Sequence, residues 1–580
     1  MSKKPVQTEP TTKLWVKVVC GILGFLMVFG ILTMLFSTFQ SVATENGNLQ
    51  TREDQQISVG LYCNENAVQS YTLQSEHGFE VKGQPSDLSV KLKDSHVTAA
   101  VDGNLYRIGT ELSTEKVGVA TVGGYHIQIT YFAFSDLGID TDHDNPVFIR
   151  PGNTSVASDG YTPSNVEDYI ELLSTNSTFK ALKLPAFVYY VDKDKCYIRV
   201  GSFYTAKDAE DVLNQLENSM TLTATVVAPD DDTVTLLSED YSILCELAGK
   251  NQTLQLHPQN DGSLRDVSGR SYSGSISISH YSTEEMNGLS IINRLSLETY
   301  IAALLPSEIA DTWNTELLKT MAVVLRTEIT RKLGNHSTEG FDVCSDTHCH
   351  KYIGGASASD AIMQAVAATA GQILTYEDRP IFTPYTMQLG SSTISALDAF
   401  GKEIPYLPAI YTPWETSDEW TVEFTPYELY QLLNTAGYQE IQGNIVSIEI
   451  TSRATGSDYI TEISFTDLFG TTVTVKDSET IRILFAGKLP STCFVVGKAG
   501  DTVTRIKRTL ADNDIGFTEA EETITLNGTY GAFVFVGYGN GAGVGLSIMG
   551  ALSLAKSGLT YDVILERYFP GAVLTGKEDD

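Results

Sequence analysis

Three of the nine histidines and two of the seven cysteines fall within fifteen residues, His336-Ser-Thr-Glu-Gly-Phe-Asp-Val-Cys344-Ser-Asp-Thr-His348-Cys349-His350. Imidazoles and thiolates at such spacing suit a tetrahedral zinc ion. A Cys344–Cys349 disulfide is the alternative if this part of the chain lies outside the cytoplasm. A second candidate is one carboxyl group, Glu308, in the run Leu305-Pro-Ser-Glu308. A third is the run Gly537-Tyr-Gly539-Asn-Gly541-Ala-Gly543-Val-Gly545-Leu-Ser547, with a glycine at every second position as far as Gly545. In an extended strand that pattern leaves one face bare, so a second backbone or a bulky ligand can come close. A dinucleotide fingerprint is a poor alternative, because only 43 residues follow Gly537 and such a site needs a two-halved α/β fold.

The elements that must hold these residues can be read from periodicity. Ser296 or a neighbour caps a helix with Leu297, Ile301 and Leu304 on one face, and Pro306 biases Leu305 away from helical conformation. Glu308 is then expected in a 306–313 turn. A second amphipathic helix from Asn314 or Thr315 carries Leu317, Leu318, Met321, Val324, Leu325 and Ile329. Upstream, residues 122–232 read β-α-β-β-α-β: runs 126–134, 186–191, 196–203 and 222–227, with helices over 164–173 and 206–216. Residues 56–121 read as a small β-rich unit of short alternating runs, among them 57–62, 89–92 and 117–122. The fold class is therefore multidomain α+β, with a large mixed domain over 240–580.

The N-terminus is organised differently. Residues 18–39 carry no charge and follow Lys3, Lys4, Lys13 and Lys17, whereas Glu45, Glu53 and Asp54 come after. At about 1.5 Å per residue this stretch spans a roughly 30 Å hydrocarbon core. The basic flank predicts a cytoplasmic 1–17, a single transmembrane helix over 18–39, a polar linker over 40–55 and the rest outside. A cleaved signal peptide would have a shorter apolar core. The 39 Lys+Arg against 72 Asp+Glu give a net charge of −33, which repels phosphate backbones and argues against a nucleic-acid partner.

Two resemblances add to this reading. Tyr197-Ile-Arg-Val-Gly-Ser-Phe203 followed by Thr205-Ala-Lys-Asp-Ala-Glu-Asp-Val-Leu213 resembles the SPOR domain, which implies binding of peptidoglycan glycan strands stripped of their stem peptides. Over about 270–575 the chain resembles the stage II sporulation protein D / amidase enhancer family. The matching segments include Asn293-Arg-Leu-Ser-Leu-Glu-Thr-Tyr300, Leu305-Pro-Ser-Glu308, Ala322 to Thr327, Phe341-Asp-Val-Cys344, Ile404-Pro-Tyr-Leu407, Gly537 to Ala551 and Tyr568-Phe-Pro-Gly571. The resemblance implies a membrane-anchored lytic transglycosylase of the sporulating cell wall with Glu308 as catalytic acid and base. It implies His336, Cys344 and Cys349 as zinc ligands, and Arg326, Tyr385, Gly390, Gly541, Gly543, Gly545 and Ser547 along a substrate cleft. The partners it implies are peptidoglycan strands and a cell-wall amidase or the engulfment machinery.

The chain departs from that family at the cleft. It has Thr386-Met-Gln-Leu-Gly390-Ser391 where a Ser-rich stretch is usual, and Ala542 and Ile548 where His and Gln are usual. These departures leave open a non-catalytic, wall-binding or amidase-stimulating protein.

Overall fold

The structure is a computed structural model and describes residues 55–84, 88–101, 125–132, 166–203, 205–229, 233–239, 242–248, 253–260, 262–283, 287–355, 358–390, 392–415, 417–510 and 517–576. The expected span at 18–39, nearly all of the linker at 40–55 and the run at 117–122 lie outside these. Among the described residues no helix is long and apolar enough to cross a membrane. The architecture is mixed α+β in several sheets, and the chain divides into two compact units. One comprises Glu53–Pro306 with Lys332–Ala358, the other Ser307–Arg331 with Ser359–Asp580.

The first unit is built on two sheets. A ten-stranded sheet contains the β-α-β-β-α-β segment, with strands Tyr125–Phe132, Ala186–Tyr190, Cys196–Phe203 and Leu222–Val227. Its helices are Val166–Thr175, the short Ser177–Leu182 and Ala206–Glu217. The expected element order is present, but the expected boundaries at 121/122 and 232/240 are not sheet boundaries. Strand Thr233–Leu237 pairs with His96–Val101, and Ile243–Ala248 joins Ala186–Tyr190 in parallel. Boundaries inferred from composition miss such long-range pairing, because hydrogen bonding, not local pattern, decides which strand is a neighbour.

The seven-stranded sheet brings together Val343–Cys344, Gln56–Tyr62, Asn287–Ser296, Ser275–Ser282, Thr253–Pro258, Phe79–Gln84 and Leu88–Leu92, in that spatial order. Strict alternation splits its central strands into two faces. Ile57, Val59, Leu254, Leu256, Ile276, Ile278, Ile291 and Leu295 are buried on one face. Gln56, Ser58, Gln255, His257, Ser275, Ser277 and Arg294 alternate with them on the other.

The second unit holds helix Thr315–Lys332, the sheets Glu419–Phe424/Phe533–Tyr538/Phe494–Lys498 and Ile445–Arg453/Ile460–Asp467/Thr472–Lys476, and one apolar cluster that includes Phe424, Phe465, Phe485 and Phe535. Two expectations need correction here. Pro306 does not end the first helix, which runs Leu297–Glu308 with the proline inside it. A proline withholds one donor from the carbonyl four residues back, and here that single loss does not stop the helix two residues short of Glu308. Glu308 is thus the last helical residue, not part of a turn. The second helix is capped by Asn314, whose Oδ1 accepts from the Glu316 amide at 2.8 Å. It is not amphipathic in situ, since every residue from Thr320 to Thr330 is buried. Most of its buried polar side chains find partners within the protein, as a helix buried all round requires, Thr330 Oγ1 being an exception. The Thr327 hydroxyl, for example, donates to Val323 O at 2.7 Å and accepts from Leu374 N at 2.9 Å.

Candidate functional site

The second unit contains the carboxyl site. Tyr385 donates its hydroxyl to Glu308 Oε2 at 2.8 Å, and both side chains are half-buried. Burial pushes the Tyr385 phenol well above its ordinary range, with the Glu308 charge and the hydrogen bond adding to it. Tyr385 therefore stays a donor, and it fixes one oxygen of the carboxyl at the helix end.

Tyr385 is held in turn by the glycine-rich segment. Strand Tyr385–Thr386 pairs in parallel with Leu546–Ser547, and Leu546 N donates to Pro384 O at 3.0 Å. Gln388 and Asn540 exchange backbone hydrogen bonds in both directions. The segment is not the extended strand expected from its spacing. Gly539, Gly541, Gly543 and Gly545 all have positive φ, from +75° to +126°. A Cβ on Gly543 would lie 2.5 Å from the Tyr459 ring, and one on Gly545 would lie 2.1 Å from Pro384 O. The glycines are used up by the chain's own close packing. Gly541 abuts Thr386 in the same way, and Gly390, beside Cys493, donates its amide to the Tyr459 hydroxyl at 3.0 Å.

Two more expected cleft residues are placed elsewhere. Arg326 is fully buried and donates to Gln372 O at 3.2 Å and Val366 O at 3.4 Å, so its guanidinium serves the core and does not reach a cleft. Ser547 is buried too, caps helix Ile548–Lys556 and donates to Glu415 Oε1 at 2.7 Å. Of the expected cleft residues, Tyr385 is hydrogen-bonded to Glu308.

Glu415 was not legible as a site residue. It is buried, accepts from Leu389 N at 2.8 Å as well as from Ser547, and so ties the Tyr385 segment to the glycine-rich one. Burial raises its carboxyl from an ordinary 4.5 to about 7, against the two hydrogen bonds that lower it. Its Oε2 has no hydrogen-bond partner and occupies the space left by the missing side chain of Gly550. The only sequence signal was an acid inside the apolar Tyr411-Thr-Pro-Trp-Glu415 run.

The first unit contains the candidate metal centre. The donor atoms of His336, Cys344, His348 and Cys349 lie within 4.8 Å of one another. His336 Nε2 is 3.3 Å from His348 Nδ1 and 3.4 Å from Cys349 Sγ, and His348 Nδ1 is 3.7 Å from Cys344 Sγ and 3.6 Å from Cys349 Sγ. Zinc bond lengths of about 2.0–2.1 Å to nitrogen and about 2.3 Å to sulfur give tetrahedral edges of about 3.3 Å for N···N and about 3.5 Å for N···S. The residues present fit a tetrahedral metal. His348 completes the set that sequence reasoning left at three, and His350 is outside it. Cys344 and Cys349 are free thiols. The Cys344 thiol is pulled down to about 4, first by its hydrogen bond with Cys349 and then by the Asp346 backbone and His348, which offset its burial. Glu339 Oε1 takes the other ring nitrogen of His336 at 2.9 Å, the outer-shell contact that orients a ligating imidazole. Lys332 Nζ donates to Cys349 O at 2.8 Å.

Residues 285–376 match the family described as Stage II sporulation protein (SpoIID). They cover the helix ending in Glu308 and the whole Cys/His cluster. Over this part of its length the chain is similar to the stage II sporulation protein D / amidase enhancer family. Among its relatives, an uncharacterised protein of Brachyspira hyodysenteriae is 26% identical over 308 residues, 53% of this chain and 72% of that one. Stage II sporulation protein D of Bacillus subtilis is 27% identical over 302 residues, 49% of this chain and 76% of the relative. The amidase enhancer of Bacillus subtilis is 24% identical over 291 residues, 47% and 40% of the two chains.

Proposed function

We propose that this chain is a membrane-anchored lytic transglycosylase that cleaves MurNAc–GlcNAc bonds of stem-peptide-free glycan in the sporulating cell wall. The observation that carries the reading is the Tyr385–Glu308 hydrogen bond on a half-buried helix end. One carboxyl group suffices for a cleavage without water. Protonated, Glu308 gives its proton to the leaving glycosidic oxygen; as carboxylate it takes the proton of the MurNAc C6 hydroxyl, whose oxygen closes on the anomeric carbon to leave a 1,6-anhydro end. A water-activating second carboxylate, as an inverting glycosidase needs, has no part in this scheme. Tyr385 holds Oε2 so that the carboxyl keeps one rotation through both steps.

His336, Cys344, His348 and Cys349 would hold zinc. Four protein donors leave no open position, so the ion would brace the 336–349 loop and take no part in the reaction. The β-α-β-β-α-β segment would bind the same glycan and raise the effective concentration of the second unit on it. A cell-wall amidase would supply the stripped strands.

A second reading, a non-catalytic wall-binding or amidase-stimulating protein, is favoured by Ala542 and Ile548 in the cleft motif and by the burial of Arg326. Denuded glycan incubated with the purified full chain separates the two. The first expects 1,6-anhydro products by mass spectrometry, absent with Glu308→Gln. Absence of product from wild type, under conditions where glycan still binds, would leave the second.

A further inference from the structure

The polar face of the seven-stranded sheet is part of a cavity of about 730 Å³, lined among others by Gln56, Ser58, Gln255, His257, Arg294 and Asp342. Register builds this row. Ser58 and Ser275 both lie directly opposite Arg294 on the neighbouring strands, and Gln255 lies opposite Ser277. The backbone around Gly262 and Gly274 forms part of the wall. A Cβ on Gly274 would meet Arg294 O at 2.1 Å, so the wall there is fixed.

An outward sheet face is ordinarily a solvated surface. This one differs, because Ser58, Ser275 and Ser277 are buried although they belong to the polar side. The charges are informative as well. Arg294 gives its Nε to Ser277 Oγ at 2.8 Å, and Asp342 Oδ2 accepts from the amide of Ser58 at 2.9 Å and from its hydroxyl at 2.5 Å. Arg294 and Asp342 thus each have a fixed orientation, and they line the same cavity without forming an ion pair with each other. His257 Nε2 is buried there with no hydrogen-bond partner. A cavity with one oriented cation, one oriented anion and neutral amides and hydroxyls between them complements a molecule carrying both charges.

We propose that this cavity binds a small zwitterion, an amino acid or short peptide with a free amine and a free carboxylate. Arg294 takes the carboxylate through its guanidinium nitrogens, and Asp342 takes the ammonium. Gln56 and Gln255 meet the peptide amides. In a cell wall, molecules of this class are the stem peptides that an amidase releases. The site uses neither Glu308 nor the metal cluster, so it stands whether or not the chain cleaves glycan.

Isothermal titration of the full chain in detergent with L-Ala–γ-D-Glu–diaminopimelate tests the assignment. Saturable binding is expected, at least tenfold weaker for the tripeptide N-acetylated on both of its free amines and at least tenfold weaker in Arg294→Gln. Asp342→Asn removes the anion but also a contact that holds strand Gln56–Tyr62; if it fails to fold, the N-acetylated probe decides that end of the site. No saturable binding, equal affinity for the acetylated probe, or displacement of the tripeptide by an equal concentration of a neutral N-acetylglucosamine tetramer would each overturn the proposal, the last in favour of a glycan site.

Discussion

The Cys/His cluster and the Glu308 site were assembled in opposite ways. The cluster draws four donors from residues 336–349, delivered by a 3-10 turn at Ser337–Glu339, the two-residue strand Val343–Cys344 and the turn after it. Local backbone geometry is nearly enough to bring them together. The Glu308 site joins a helix end to a tyrosine 77 residues away, and that tyrosine is placed by a strand pair with Leu546–Ser547. No local feature fixes it. The first site is therefore robust to changes elsewhere in the fold, and the second depends on every contact that aligns 384–390 with 540–547.

The largest effect that would sharpen this contrast is chemical. Glu308→Gln keeps the acceptor for Tyr385 but removes proton transfer, and loss of a general acid and base costs about 10²–10⁴-fold in rate. Formation of 1,6-anhydro ends from denuded glycan should fall by that factor while the thermal midpoint stays within a few degrees. A variant that keeps wild-type rate would remove Glu308 from the chemistry. Next in size is Cys349→Ser, which takes a buried donor from the cluster. Metal analysis should show loss of one bound equivalent and denaturation several kcal/mol less stable, because a site absent in the unfolded chain contributes its binding energy to folding. Unchanged metal content would break the four-donor assignment.

Gly545→Ala tests the other side of the comparison. The added Cβ would sit 2.1 Å from the Pro384 carbonyl, at a φ of +75° that disfavours any side chain. Backbone cannot yield as a flexible side chain can, so a cost of about 2–4 kcal/mol is expected in urea titration. Product formation should fall with it, since Tyr385 follows Pro384. A neutral substitution would show that the two segments are not rigidly paired.

The same contrast explains what was legible in the sequence. Cys344, Cys349 and His336 announced themselves because metal-binding chemistry needs rare residue types close together. The strands Cys196–Phe203 and Leu222–Val227 were recovered to the residue because alternation is a local signal. Pro306 misled, since one missing donor is a bias and not a barrier, and the helix carried on to Glu308. The glycines at 539–545 were visible as a pattern but not as bends, because spacing alone does not separate a bare strand face from successive left-handed turns. Arg326 looked like a ligand contact, whereas the fold gave it two carbonyls. His348 and Glu415 needed coordinates, one to be told apart from His350 and the other to be seen as a buried tie.

Glu415 gives a pH signature to the Tyr385 side alone. Its folded-state carboxyl titrates near 7, above an ordinary 4.5, so the folded chain binds the proton more tightly than the unfolded one. The stability it contributes is complete below about pH 4.5 and is lost as pH rises through 7, by at most about 1.4 kcal/mol per pH unit in that window. Glu415→Gln keeps an acceptor for Leu389 N and removes the charge. Its thermal midpoint should vary less between pH 4.5 and 7.5 than that of wild type, and should exceed it at the alkaline end. Parallel curves for the two proteins would rule out a titrating Glu415.

The smallest effect isolates the contact on which the site reading rests. Tyr385→Phe leaves the ring and deletes the hydroxyl that donates to Glu308 Oε2 at 2.8 Å. Both side chains are half-buried, so water replaces part of what is lost, and a cost of about 1 kcal/mol is expected rather than the full price of an orphaned charge. A single variant cannot assign that loss to the pair, because the phenol is also desolvated on its own account. A double-mutant cycle with Glu308→Ala in urea denaturation removes that ambiguity. If hydroxyl and carboxyl stabilise each other, the double variant should be about 0.5–1 kcal/mol more stable than the sum of the two single losses predicts. The measurement asks nothing of catalysis, so it tests the geometry even in a chain that only binds the wall. Strict additivity would mean that Tyr385 and Glu308 are neighbours without being partners, and the carboxyl would lose the contact on which its assignment rests.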